Sequence, residues 1–138
     1  MKKRILFICT HNSARSQMAE AFLKTLFPER FEAYSAGTQP GKLKPFVVKA
    51  MGEVGMDISG NHTKLVDEFK GDKFDLVVTV CDQAKETCPY FPGAKDYLHR
   101  NFEDPSTFTG SEEEIMEKVR QVRDNIKNWV LETFGEYK

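Results

Sequence analysis

Apolar residues follow two rhythms along this chain, and the switching between them predicts its elements. Ile5-Leu6-Phe7-Ile8-Cys9 is apolar throughout, as in a strand buried on both faces of a parallel sheet. From Gln17 to about Phe27 the spacing becomes helical: Met18, Phe22 and Leu26 share a face with Ala21 beside them, and Pro28 ends the run. Phe31 to Ala36 reads as a second strand closed by Gly37, followed by a Gly/Pro-bearing loop over Thr38 to Lys44. Pro45 suits a first helical turn, and Leu43, Phe46, Val47, Ala50, Met51 and Val54 form a helical stripe that Gly55 ends. Asp57 to Thr63 is a polar loop, with a turn or two of helix over Lys64 to Phe69. Phe74 to Val80 is a third strand of the buried type, and a shorter fourth is expected around Tyr97 to Asn101. Glu112 to Phe134 is the last helix, turning Ile115, Val119, Val122, Ile126, Trp129 and Val130 inward; its acidic first turn after Ser111 suits the helix dipole.

Strands alternating with helices predict an α/β fold with a parallel sheet, and 138 residues suit a single domain spanning 1–138. In such sheets, sites lie beyond the carboxyl ends of the strands. Cys9, Ser35, Cys81 and the segment after the fourth strand all belong to that edge. Composition adds exclusions. A net charge of −1 gives no electrostatic case for nucleic acid. The basic start, Met1-Lys2-Lys3-Arg4, precedes too short an apolar run for a signal peptide or a membrane span. Three cysteines without an export signal argue against a disulfide framework and for a reducing cytoplasm, where thiols serve chemistry.

That chemistry centres on Cys9-Thr10-His11-Asn12-Ser13-Ala14-Arg15-Ser16. A lone cysteine here would read as a buried structural residue. This one ends a strand, however, at the mouth of a helix whose first amides attract anions. The five residues between Cys9 and Arg15 are enough for a tight loop around an oxyanion, with Thr10, His11, Asn12, Ser13 and Ala14 as its walls. Arg15 adds a planar fork suited to two oxygens of a tetrahedral anion. The same field favours thiolate, the nucleophilic form, and Ser16 is placed to donate to it. Asn12 suits a left-handed turn.

Two further features reach the same edge. Glu103-Asp104-Pro105 follows the fourth strand, and Pro105 holds Asp104 extended. Six residues separate Cys81 from Cys88, with Gln83 to Thr87 able to form a short helix. Zinc is disfavoured, because His62 and His99 are isolated singletons. Two buried cysteines acting as small apolar residues are the plain alternative.

Cys9-x5-Arg15-Ser16 resembles the phosphate-binding loop of low-molecular-weight tyrosine phosphatases and of the arsenate reductases that share their fold. The resemblance implies a single-domain three-layer sandwich with a four-stranded parallel sheet, and it makes Asp104 the general acid. The cysteine pair separates the two groups, because Cys81…Cys88-Pro89 resembles the redox helix of thioredoxin-coupled arsenate reductases. Gln17-Met18-Ala19-Glu20-Ala21, Tyr34-Ser35-Ala36-Gly37, Ile58-Ser59, Asn61-His62-Thr63 and Asp75 to Thr79 extend the similarity along nearly the whole chain. Two departures stand out: Ala14 replaces a further cysteine found in many relatives, and Gly60 lengthens its segment.

What the resemblance implies is arsenate reduction for detoxification, through a Cys9 adduct and a Cys9/Cys81/Cys88 disulfide relay. Thioredoxin is then the reductant, the shared pocket implies weak phosphatase activity, and no cofactor is expected to be tightly bound; because a small anion pocket requires no partner, a monomer is the simplest case. Some relatives bind potassium near the residues matching Asn12, Glu20 and Ser35. The alternative is a tyrosine phosphatase using Cys9, Arg15 and Asp104. Ser106-Thr107 follow the Asp-Pro, where such phosphatases often carry tyrosines. A third reading is a non-enzymatic oxyanion or redox sensor switched by Cys81 and Cys88.

Overall fold

A computed structural model describes residues 2–81 and 91–137. Four strands, β1 (Lys3–Cys9), β2 (Phe31–Gly37), β3 (Phe74–Thr79) and β4 (Ala94–His99), form one all-parallel sheet in the order β2-β1-β3-β4. The helices are α1 (Arg15–Leu26), α2 (Pro45–Glu53) and α3 (Glu112–Gly135), with short 3₁₀ turns at Val66–Phe69 and Pro105–Thr107. β1 lies at the centre, paired on both sides, and Ile5 to Cys9 are buried without a break. This explains the uninterrupted apolar run, because a strand covered on both faces has no solvent side to make polar.

The two faces of the sheet are covered differently. Ile5, Phe7, Cys9, Leu76 and Val78 join Met18 and Phe22 of α1, Val47 and Met51 of α2, and Val119, Ile126 and Phe134 of α3 in one cluster. On the other face Leu6, Ile8, Ala36, Phe74, Val77 and Phe91 form a smaller cluster, against which Val66 and Phe69 of the first 3₁₀ turn pack.

Where element boundaries differ from the sequence reading, tertiary contacts decide. β1 begins at Lys3, two residues before its apolar run, because Lys3 pairs in register with Phe31. β4 lies at Ala94–His99 rather than Tyr97 to Asn101. It is an edge strand exposed along nearly its whole length, so no apolar run marks it. In α3, Met116 and Phe134 are core residues, whereas Ile115 and Trp129 pack partly buried against the cluster. Val54, at the end of the α2 stripe, is exposed, and Gly55 takes φ +83° just beyond it. Ser111 caps α3 reciprocally with Glu114, its Oγ accepting the Glu114 N–H at 3.2 Å.

Arg123 of α3 donates to the Ala50 carbonyl and to Glu53, both at 2.9 Å, and Arg120 adds two bonds to the same carboxylate. The Arg120 hydrogen bonds first, opposed by burial and then reinforced by the hydrogen bond of Arg123, lower the Glu53 pKa from 4.5 to about 2. A carboxylate held low in the folded state stabilises above its unfolded pKa and loses that contribution as pH falls through the folded one. Glu53→Gln is therefore expected to melt earlier than wild type at neutral pH, with the gap closing as pH drops from about 4.5 toward 2. Thermal melts across that range check it. Because Glu53 is one-third exposed, added salt should narrow the gap as well.

Candidate active site

β1 delivers Cys9 to the carboxyl edge of the sheet, and Arg15 opens α1 just beyond the loop. No side chain caps this helix start, which suits an anion in that place. Within the loop Asn12 adopts φ +56°, the only positive φ at a non-glycine residue among those described. Cys9 is a free, buried thiol, and its Sγ lies 2.9 Å from Ser16 Oγ.

The direction of that last bond follows from its neighbours. The Lys64 backbone N–H can only donate, and it donates to Asn12 Oδ1 at 2.9 Å. The Asn12 amide nitrogen must then face Ser16, to whose Oγ it donates at 2.7 Å. With one lone pair so engaged, the Ser16 hydroxyl keeps its hydrogen for the sulfur of Cys9. Gln17, fully buried, donates to Asn12 Oδ1 and to the His62 carbonyl, and accepts from Asn61. Gln17, Asn61 and Lys64 thus tie the loop to the 61–64 segment, a role their sequence positions did not reveal. A glutamine on the inward face of a helix was the available signal.

Arg15 is buried, and its guanidinium reaches toward the segment after β4: Nη1 donates to the Phe102 carbonyl at 3.4 Å, and Nη2 lies 3.5 Å from Asp104 Oδ2. Asp104 is extended, as the following proline requires, and Pro105 is buried at the start of its 3₁₀ turn. Of the loop walls, Asn12, Ser13 and Ala14 are buried, Thr10 is half-buried and His11 is exposed.

The outside of the loop is clasped by residues 37–44. Thr38 N–H and Gln39 N–H both donate to the Thr10 carbonyl, at 2.8 and 2.9 Å, and Lys44 N–H donates to the Ser13 carbonyl. At Gly37, a Cβ would lie 2.7 Å from Thr10 O, His11 C and Asn12 N, all of them backbone. Gly41 is similarly close to His11. In sequence Gly37 closes the second strand and belongs to a segment shared with relatives; its approach to the loop is visible only in the fold.

Cys81 follows β3 by two residues, and β3 pairs directly with β1; Val80 N–H donates to the Ile8 carbonyl at 2.9 Å. Cys9 and Cys81 therefore leave neighbouring strands at the same edge, both buried. Cys81 is disulfide-bonded rather than a free thiol. Cys88 and the short helix expected over Gln83 to Thr87 lie outside the described residues.

The residues expected around potassium do not fit a cation well. Ser35 Oγ donates to Glu20 Oε1 at 2.5 Å, and Lys24 meets the other carboxylate oxygen at 2.7 Å. Lys64 Nζ stands 3.9 Å from Glu20, and Asn12 Oδ1 already accepts two hydrogen bonds. Two ammonium groups supply the charge that an ion would bring. Among the described residues, no group of three or more His, Cys, Asp or Glu could hold a metal ion, and no helix is long and apolar enough to cross a membrane.

Cys9, the loop after it, Arg15 and Asp104 thus meet at the carboxyl edge of the sheet, and comparison with known proteins places the chain in a family. The sequence profile of the low molecular weight phosphotyrosine protein phosphatase family matches residues 4–136, so the chain belongs to that family. The relatives it matches include arsenate reductases. That of Halalkalibacterium halodurans is 42% identical over 135 residues, covering 98% of this chain and 96% of that protein. An arsenate reductase solved in its phosphate-binding state superposes over 100% of both chains with a TM-score of 0.82 at 30% identity. A thioredoxin-dependent arsenate reductase of Corynebacterium glutamicum, 28% identical, aligns at a TM-score of 0.62 over 96% of this chain and 63% of that one.

Proposed function

We propose that the protein reduces arsenate to arsenite by a thiol relay. The observation that carries this reading is the placement of Cys9 and Cys81 at the ends of the adjacent strands β1 and β3. A phosphatase needs the first thiol and has no use for the second.

Arsenate, a tetrahedral oxyanion like phosphate, binds in the loop 10–14 with Arg15 bridging two of its oxygens. The Cys9 thiolate attacks arsenic, and one oxygen leaves as water with a proton from Asp104. Cys81 thiolate then attacks Cys9 Sγ. The sulfur–arsenic bond breaks, its electron pair stays on arsenic, and arsenite departs from a Cys9–Cys81 disulfide. Cys88 attacks Cys81 in turn, which frees Cys9 and moves the disulfide to Cys81–Cys88. The free Cys9 beside a disulfide-bonded Cys81 fits the state at the end of this sequence. Thioredoxin, in a reducing cytoplasm, returns the pair to dithiol. The enzyme works as a monomer, needs no potassium and hydrolyses aryl phosphates weakly in the same pocket. Its role is arsenic detoxification.

The test is arsenate-dependent NADPH oxidation with thioredoxin and thioredoxin reductase, run beside aryl phosphate hydrolysis. Cys81→Ser should lose the first and keep the second, and Cys88→Ser should allow one turnover only. Sustained reductase turnover by Cys88→Ser would sink the relay. Brisk phosphatase activity without arsenate turnover would return the assignment to a phosphatase.

A further inference from the structure

A carboxylic acid has two oxygens, and it serves as a proton donor only when the proton sits on the oxygen facing the reacting group. The two oxygens of Asp104 have different surroundings. Oδ1 accepts two hydrogen bonds from one residue: the Ser106 backbone N–H at 2.9 Å and the Ser106 hydroxyl at 2.8 Å. Oδ2 lies on the Arg15 side, 3.5 Å from Nη2. The turn that makes this asymmetry is itself pinned, because Thr107 N–H and Thr107 Oγ1 both donate to the Asp104 carbonyl, at 3.1 and 2.8 Å, and Pro105 is buried.

A backbone N–H cannot reverse its role. A proton on Oδ1 would face the Ser106 N–H and leave that donor without its acceptor lone pair. The Ser106 hydroxyl, donating to the same oxygen, fills the second acceptor direction of Oδ1, and while it does so the acid form carries its proton on Oδ2. We propose that Ser106 is a positioning residue that holds Asp104 so that Oδ2, on the Arg15 side, is the oxygen that delivers the proton to the group leaving arsenic. This rests on the reading of Asp104 as general acid. In the step itself, the Oδ2–H bond breaks, the proton goes to the departing oxygen, and Asp104 is left as carboxylate with Ser106 still bonded to Oδ1.

Ser106 is exposed, so its replacement should leave the fold intact. The experiment measures the rate of arsenite formation in a single turnover, with reduced enzyme in excess over arsenate, for wild type, Ser106→Ala, Ser106→Thr, Asp104→Asn and the Ser106→Ala/Asp104→Asn double variant. Ser106→Ala should slow the rate roughly 10-fold, a part of the 10²–10⁴ that a positioned acid contributes. Ser106→Thr, which keeps the hydroxyl, should restore most of it. In the Asp104→Asn background the alanine should cost nothing further, because a residue acting through Asp104 has nothing left to position. Equal losses in both backgrounds, or no loss in the first, would overturn the positioning role while leaving the acid in place. An Asp104→Asn rate equal to wild type would remove the acid, and Ser106's part with it.

Discussion

Cys9→Ser is expected to abolish arsenite formation and aryl phosphate hydrolysis together while leaving anion binding nearly intact. Cys9, the proposed nucleophile, sits buried at the end of β1, with one hydroxyl turned toward it. That hydroxyl, Ser16, is a donor, because the Asn12 amide already occupies its acceptor side. A serine at position 9 would thus meet a hydrogen-bond donor where an oxygen nucleophile needs a base. Losses on removing a nucleophile of this kind reach roughly 10⁵–10⁶-fold. The loop, Arg15 and the helix start do not depend on the sulfur, so phosphate affinity by calorimetry should change by no more than a few-fold. Residual arsenate reduction in the variant would place the first attack on Cys81 instead.

The second large effect is expected at a residue with no side chain. Gly37→Ala puts a methyl group 2.7 Å from three backbone atoms of residues 10–12, closer than such contacts are found. Flexible side chains can move aside, but here the obstacle is the loop's own main chain, in the stretch that holds Asn12 at positive φ. The strain must therefore be relieved by moving the oxyanion loop or the end of β2. A shift of about 1 Å in groups that orient a substrate costs on the order of 10² in rate, and overpacking of this kind costs about 1–3 kcal/mol in stability. Steady-state kinetics and a thermal melt measure both. Gly52→Ala is the matched control: its Cβ would meet nothing within 4 Å in α2, so it should be neutral or stabilising. Wild-type turnover in Gly37→Ala would mean that the clasp does not shape the loop.

These two residues also mark how far the sequence could be read. Cys9 and Arg15 announce themselves, because their spacing, the preceding strand and the following helix are all local. β1 and β3 are equally plain, as full burial writes an unbroken apolar run. β4 is not, since an edge strand with Lys95, Asp96 and His99 exposed carries no such imprint. Asp104 could be placed at the correct edge from the order of elements, but its approach to Arg15 required the folded chain. Gly37, Gln17 and Lys64 escaped for a shared reason. Each acts on the loop through backbone atoms, or through partners far along the chain, and neither leaves a periodic trace. Glu20 and Ser35 entered only through resemblance to relatives that bind potassium, and neither their mutual hydrogen bond nor the lysines that reach Glu20 could be read from sequence.

The central position of β1 has a consequence for how the molecule comes into being. β1 leaves the ribosome before both of its partners, since β2 begins at residue 31 and β3 at residue 74. Until β3 has been synthesised, one edge of β1 lacks its main-chain partner, and Ile5 to Cys9 have only part of their cover. Non-local parallel pairing is slow to form, and unpaired apolar strands invite wrong partners. The segment that ends in Cys9 is thus made before both of its partners and finished only when the later one arrives. A nascent chain of this architecture gains from a surrounding that keeps thiols reduced and strand edges covered until the middle of the sheet has closed.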